Sequence, residues 1–168
     1  LLGQTPEDWD VTTSALPEET MAVFGGQAIP TGLKHGTVTV CWPEGTVEAT
    51  TFRRDGTYSD HRHPERVIFT SSLEEDLARR DFTVNAMALD LRGNLYDLFH
   101  GQADLRDRTL RCVGDPERRF PEDALRILRC LRFAARLDFA VAEETDAALV
   151  VCRKLLREIA PERIHEEL

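Results

Sequence analysis

The 168-residue sequence contains no apolar run that approaches the ~18 to 20 residues needed to span a bilayer. Its first eight residues also lack the basic region with which a secretory signal peptide begins. These absences exclude a membrane-spanning protein and predict a soluble protein in the cytoplasm. With 42% hydrophobic residues, the chain can still form the packed core of one domain, or of one domain and part of another.

Cysteine is sparse and widely spaced. Cys41, Cys112, Cys130 and Cys152 form no C-x-x-C pair. Structural zinc sites and the disulfide frameworks of small secreted proteins both depend on closely spaced cysteines. We therefore expect reduced thiols, most of them buried as small apolar side chains, rather than metal ligands.

Lysine is nearly absent, because 19 of the 21 basic residues are arginine and only Lys34 and Lys154 are lysine. The formal charge of −9 argues against broad binding to nucleic acid, which depends on neutralising phosphates. Arginine nevertheless offers a planar fork of donors that suits phosphates and base edges. A GC-rich genome would produce the same bias, so the positions of the arginines have to decide between the two explanations.

The pattern of residues predicts an α+β fold in which a mixed head precedes a helical region, with a boundary near Val113. In the head, β-branched runs at 37–42 and 47–52 flank a Pro-Glu-Gly turn and predict a hairpin. Beyond it we predict a helix from Pro121 to about Leu137, another over 143–159 and a third starting at Pro161.

Asp8 and Asp10 lie two residues apart in a predicted strand, so their carboxylates share one face. Two close negative charges repel unless a cation lies between them, and Mg²⁺ suits both carboxylates and nucleotide phosphates. A solvated strand end explains a lone D-x-D motif equally simply. Glu48, in another predicted strand, is a candidate third carboxylate or only a solvent-facing residue.

The segment 79–86 (RRDFTVNA) places two arginines at the end of a predicted helix, where the helix dipole favours cations. A functional interpretation uses Arg80 against a triphosphate, with Asp81 and Asn85 near a ribose or as braces of the loop. The spacing alone does not separate these alternatives.

Four arginines share one side of the predicted helix 122–137. At 100° per residue, Arg126, Arg129, Arg132 and Arg136 fall within about 120° of one another and the apolar residues lie opposite. Asp123 precedes Arg126 by three residues, the spacing of a helix ion pair. An acceptor beside a set of donors also matches the Watson–Crick edge of a base, so this face is a candidate phosphate or RNA surface.

Taken together, these segments resemble the bacterial class II tRNA nucleotidyltransferases (CCA-adding enzymes) and the related poly(A) polymerases. The resemblance rests on five segments in register: Leu2-Gly3 through Asp8-x-Asp10, 31–38 (TGLKHGTV), 47–53 (VEATTFR), 79–86 (RRDFTVNA) and 119–126 (RFPEDALR). It implies a nucleotidyltransferase head at 1–112 and the beginning of a helical neck at 113–168. The implied activity is addition of CMP, CMP and AMP to the tRNA 3′ end from CTP and ATP.

The resemblance also implies roles for single residues. Asp8 and Asp10 would be the catalytic residues that bind Mg²⁺. Arg80 would help hold the incoming nucleotide, and Asp123 with Arg126 would pair with its base in place of a nucleic-acid template. The remaining nucleotide contacts would come from Arg129 and Arg132.

Two departures from the family pattern suggest a fragment. A Gly-Gly-x-Val-Arg-Asp segment is expected just before Leu1, and body and tail helices are expected after Leu168, so we expect impaired nucleotide binding and little productive tRNA binding from this piece alone. Poly(A), CC-only and A-only addition remain alternatives. A D-x-D glycosyltransferase or a non-catalytic RNA-binding relative is a more distant one.

Overall fold

The computed structural model describes residues 1–3, 9–56 and 67–167, and the chain separates into two compact units. Among the described residues, the first unit contains 1–3, 9–56 and 67–76, and the second contains 77–167. The predicted boundary near Val113 lies inside the second unit and stays a prediction. Within these ranges, no helix combines the length and apolar character needed to cross a membrane.

The first unit is a four-stranded mixed sheet with one covering helix and an added hairpin. Its elements are β1 (Asp10–Thr13), α1 (Pro17–Phe24), β2 (Ala28–Gly32), β3 (Thr37–Trp42), β4 (Gly45–Thr51), β5 (Arg53–Asp55), β6 (Val67–Phe69) and the start of α2 (Leu73–Ala78). The sheet order is β1-β4-β3-β2, in which only β1 and β4 are parallel, while β5 pairs with β6. The predicted hairpin is confirmed as β3 and β4.

The two faces of this sheet differ in character. Val38, Val40 and Ala49 are buried on the face against which α1 packs. On the other face, the hydroxyls of Thr37 and Thr50 lie 3.0 Å apart across two strands. Because side chains alternate along a strand, β3 and β4 place apolar residues on one face and polar residues on the other. The polar face is therefore the one available to a charged ligand.

The second unit is mainly helical. Its elements are β7 (Ala88–Leu89), β8 (Leu95–Tyr96), α3 (Gly101–Arg106), β9 (Thr109–Leu110), α4 (Pro116–Glu122), α5 (Leu125–Leu137), β10 (Ala140–Val141), α6 (Glu143–Cys152) and α7 (Pro161–Glu167). The core is formed by Phe82, Leu110, Phe120, Ile127, Cys130, Ala148, Leu149 and Cys152. The apolar face predicted for 122–137 supplies Ile127 to this core, but Leu131 of the same face is half exposed, and the buried Cys130 lies outside the predicted face.

The predicted continuous helix from Pro121 to Leu137 is wrong, because the chain breaks between α4 and α5. Asp123 has extended backbone angles (φ −140°, ψ 104°), and its Oδ1 accepts a hydrogen bond from the Leu125 N–H at 3.1 Å. Aspartate competes with helical hydrogen bonding in this way. The helix predicted over 143–159 also changes character, since α6 ends at Cys152 and a 3₁₀ helix follows over Arg153–Glu158.

Candidate active-site residues

The polar face of the first unit's sheet carries two carboxylates on neighbouring strands. Asp10 in β1 is in direct register with Glu48 in β4, and both residues are exposed. Paired residues on adjacent strands project from the same face, with backbones about 4.8 Å apart. The sequence made Glu48 only a candidate, and the strand register now places it beside Asp10. Asp8 lies outside the described residues, so its position next to Asp10 stays a prediction.

Asp10 and Glu48 have the chemistry that a hard divalent cation requires. Both offer carboxylate oxygens, the ligands that Mg²⁺ prefers, from a face that water and phosphates can reach. Over 9–56 and 67–167, no group of three or more His, Cys, Asp or Glu side chains has metal-binding geometry. The two carboxylates thus fit part of a site for a divalent cation and do not complete one by themselves.

In the second unit, Asp81 is the centre of a hydrogen-bond network. Its side chain is 9% exposed and accepts hydrogen bonds from the Phe82 N–H at 2.8 Å and from Asn85 Nδ2 at 3.1 Å. Arg129 of α5 donates from Nε and NH2 to Asp81 Oδ2 at 2.8 and 2.7 Å. Asp81 and Asn85 thus brace the loop, one of the two roles that the sequence allowed, and they tie it to α5.

Arg80 is half-buried directly before this network, and its NH1 lies 3.4 Å from the carbonyl oxygen of Asn85. α2 ends at Ala78, so the two arginines expected at the end of the predicted helix follow it instead. The backbone carbonyl oxygen of Arg80 accepts a hydrogen bond from Arg119 NH2 at 3.0 Å. These contacts hold Arg80 by both its backbone and its side chain.

The spacing of Asp123 and Arg126 suggested an ion pair between them, but each contacts a different charged residue. Arg126 is 7% exposed and donates from NH1 to Glu122 Oε2 and to the carbonyl oxygen of Arg119, both at 2.8 Å. Asp123 Oδ1 lies 3.7 Å from Arg163 NH2 in α7. Because Asp123 has extended backbone angles and lies outside α5, its side chain does not have the i,i+3 position that it would have in a continuous helix with Arg126.

Arg129 and Arg132 lie on the same side of α5 and share an acidic neighbour in α7. Arg132 Nε donates to Glu167 Oε1 at 2.7 Å, and Arg129 NH1 lies 3.7 Å from Glu167 Oε2. The guanidinium carbon of Arg129 lies 5.4 Å from the centre of the Phe133 ring and that of Arg132 lies 4.6 Å from it, both within cation–π range. Acidic side chains from other segments, Asp81 and Glu167, therefore lie against the arginines of this face and partly neutralise it.

Sequence reasoning missed four charged residues that organise this region: Arg119, Glu122, Arg163 and Glu167. Glu122 precedes Arg126 by four residues, but the predicted pairing used Asp123 instead. Arg163 and Glu167 also have helical i,i+4 spacing. That spacing signals a shared face and leaves open which helix the face meets.

The cysteines confirm the expectation of mostly buried, free thiols. Cys112, Cys130 and Cys152 are buried, and Cys41 is half-buried. Burial raises the pKa of the Cys112 thiol to about 11 and that of Cys130 to about 12. Thiols with such pKa values stay protonated at neutral pH, so neither residue is a candidate nucleophile.

The sequence profile of the poly(A) polymerase head domain matches residues 1–111. The chain belongs to this family. Curated relatives of this family member include the CCA-adding enzyme of Lactobacillus helveticus, 49% identical over 167 residues that cover 99% of this chain and 42% of the relative. The CCA-adding enzyme of Geobacillus stearothermophilus is 49% identical over 168 residues, covering 100% and 41%.

Solved structures agree with this family assignment. The Bacillus stearothermophilus CCA-adding enzyme in complex with CTP superposes with a TM-score of 0.89 at 46% identity, covering 99% of this chain and 40% of that one. A tRNA nucleotidyltransferase complexed with a primer tRNA and an incoming ATP analog gives 0.77 at 34% identity, covering 99% and 47%. The predicted family resemblance and α+β head are therefore confirmed. The chain spans about two fifths of the length of the curated relatives.

Proposed function

We propose that the full-length protein is a magnesium-dependent tRNA nucleotidyltransferase that adds CCA to the tRNA 3′ end in the cytoplasm. The observation that carries this proposal is the 0.89 TM-score, at 46% identity over 99% of the chain, to a CCA-adding enzyme bound to CTP. The paired carboxylates of Asp10 and Glu48 support it independently, because nucleotidyl transfer needs negative groups that hold a cation beside phosphates.

In this proposal, Asp10 and Glu48 would hold the metal on the polar face of the sheet, with Asp8 as a further ligand. Bound Mg²⁺ would favour the ionised form of the RNA 3′-hydroxyl and neutralise charge on the phosphates. The protein's own contribution is positioning, since the transferred group needs an in-line approach and a fixed orientation more than covalent help.

The second unit would bind the nucleotide. Arg80, Arg129 and Arg132 would contact the triphosphate, because guanidinium groups bind phosphate oxygens in two-pronged fashion. Asp123 and Arg126 would read the base. Arg126 donates to Glu122 through NH1, so base reading requires its donors to be shared between Glu122 and the nucleotide. We assign these roles to a head at 1–112 and a neck at 113–168.

The test is incorporation by the purified full-length protein on tRNA transcripts ending before the CCA, after C and after CC, with each NTP supplied separately. CCA addition predicts CMP on the first two transcripts, AMP on the third, and no extension beyond the final A. Incorporation of CMP alone or AMP alone would identify a CC-only or A-only enzyme, and long A tails would identify poly(A) synthesis.

Asp10→Ala tests the metal role in the same assay. We expect transfer to fall by at least about 10³-fold, because the charge neutralisation that drives the step depends on these carboxylates. tRNA binding, measured by filter retention, should stay near the wild-type value. Asp107→Ala is the matched control, since Asp107 is exposed and lies in the second unit. Full transfer by Asp10→Ala would remove Asp10 from the metal site.

A further inference from the structure

α7 faces α5 with two charged side chains one helical turn apart. Arg163 and Glu167 are separated by four residues, which places them on the same side of α7, and α7 packs against α5. Each side chain meets a residue of opposite charge that the proposed function places against the nucleotide. Arg163 meets Asp123, and Glu167 meets the two arginines of α5.

Glu167 is a buried carboxylate whose two oxygens point at two different guanidinium groups. Its side chain is 8% exposed, whereas those of Arg129 and Arg132 are 34% and 30% exposed. A carboxylate is buried at acceptable cost only when it is paired and hydrogen-bonded, so Glu167 depends on these partners. In return it fixes the direction of both guanidinium groups while leaving part of each accessible to a ligand.

Arg129 and Arg132 are not held equally. Arg129 also donates to Asp81 at 2.8 Å, whereas Arg132 has its guanidinium carbon 4.6 Å from the centre of the Phe133 ring. Loss of the Glu167 charge would therefore leave Arg129 with an anionic partner and release Arg132 from its only ion pair among the described residues. The effect of Glu167 should pass mainly through Arg132.

Arg163 acts on the other predicted element of the nucleotide site. Its NH2 lies 3.7 Å from Asp123 Oδ1, and both side chains are about four-fifths buried. Asp123 lies at the break between α4 and α5, where its carboxylate also accepts a hydrogen bond from the Leu125 N–H. A cation at this distance restrains which oxygen of Asp123 is presented outward.

We propose that α7 is the positioning helix of the nucleotide site: Glu167 orients Arg132 and Arg129 for the triphosphate, and Arg163 orients Asp123 for the base. The inference rests on the proposed nucleotidyl transfer. Glu167 has the wrong charge to bind phosphate, so it acts through the arginines and is a positioning residue rather than a catalytic one. The two residues of α7 thus have separable effects, on nucleotide affinity and on base choice.

The experiment compares variants of the full-length protein in steady-state CMP and AMP addition. Glu167→Gln is nearly isosteric but uncharged. It should raise KM for CTP and ATP by about tenfold or more and leave kcat within about threefold. The reason is that the orientation of a phosphate contact is lost while the reacting groups stay in place. Arg163→Gln should lower discrimination against UTP and GTP by about tenfold with a smaller change in KM. Arg163→Lys, which keeps the charge, should recover most of the selectivity.

Glu166→Gln is the matched control, because Glu166 is exposed on the same helix and should leave both parameters unchanged. A double-mutant cycle with Arg132→Met isolates the route: Glu167→Gln should add little once Arg132 is gone. Thermal melts by circular dichroism identify the folded fraction, so that rates are compared per folded molecule.

The outcomes distinguish failure of the proposed function from failure of the positioning role. A wild-type protein that adds neither nucleotide to tRNA would overturn the proposed function. An active wild type whose Glu167→Gln and Arg163→Gln variants match Glu166→Gln in KM and selectivity would overturn only the positioning role. Fully additive effects of Glu167→Gln and Arg132→Met would show that Glu167 does not act through Arg132.

Discussion

Replacing Asp81 by alanine should destabilise the second unit more than any exposed carboxylate substitution. Asp81 is nearly buried and accepts hydrogen bonds from a backbone N–H, an amide and a guanidinium. Alanine removes all of these acceptors at once, because its side chain carries no polar atom. The Phe82 N–H, the Asn85 amide and the Arg129 guanidinium would then each lose the acceptor that Asp81 supplies.

The magnitude follows from the exposure of the groups that are left. Removing one member of a fully buried ion pair costs about 3 to 5 kcal/mol. Arg129 is 34% exposed and has Glu167 Oε2 at 3.7 Å, so water and a second carboxylate offset part of this cost. The Phe82 N–H, inside a fully buried residue, adds about 1 to 2 kcal/mol. We expect a total loss of about 2 to 4 kcal/mol in the free energy of unfolding.

Urea unfolding followed by far-UV circular dichroism measures this loss. With an m-value of about 2 kcal/mol/M, the midpoint should fall by about 1 to 2 M. Asp107→Ala removes the same chemical group from an exposed position and should leave the midpoint nearly unchanged. A cycle of Asp81→Ala with Arg129→Met should return a coupling energy of at least about 1 kcal/mol. Equal midpoints for Asp81→Ala and Asp107→Ala would refute the view that Asp81 ties its loop to α5.

Three further measurements test the packing. Gly101→Ala should lower the free energy of unfolding in urea by at least about 2 kcal/mol, because an added Cβ would clash with the carbonyl oxygen of Thr83. Wild-type stability of this variant would contradict that contact. Native protein should react quickly with Ellman's reagent only at Cys41, and all four thiols should react in denaturant. The raised pKa values of Cys112 and Cys130 contribute stability that is complete below pH 9, the ordinary pKa of a thiol. This stability is lost as the pH rises toward 11 and 12, because the unfolded chain releases these protons first. The urea midpoint should therefore fall over that range, and it should fall less steeply in Cys112→Ala.

Local patterns were sufficient to predict much of the fold. The β3–β4 hairpin follows from alternating β-branched residues on either side of a turn, and the register and strands confirm it. Helical periodicity predicts the apolar face of α5 in part, because Ile127 is buried as expected whereas Leu131 of the same predicted face is half exposed. These features depend on residues within a few positions of each other, and a single sequence contains that information.

The candidate site was predicted less completely. Arg126, expected on an open basic face, is buried because its guanidinium donates to carbonyl oxygens at Arg119 and, 47 residues away, at Arg79. The break at Asp123 depends on a side chain competing with helical hydrogen bonds, which a periodicity argument does not weigh. Both differences arise because helical periodicity counts apolar and charged positions and does not include the hydrogen bonds that a side chain makes to the backbone.

The sequence by itself determined the family, the α+β class, the hairpin, the amphipathic helix and the residue types available for metal and nucleotide binding. Only the tertiary structure decided that Glu48 lies beside Asp10, that Asp81 binds Arg129, and that Arg163 and Glu167 meet the nucleotide-site residues. The physical reason is range. Propensity and periodicity act over one or two turns of chain, whereas strand register and ion pairing join groups that are 35 to 48 residues apart in sequence.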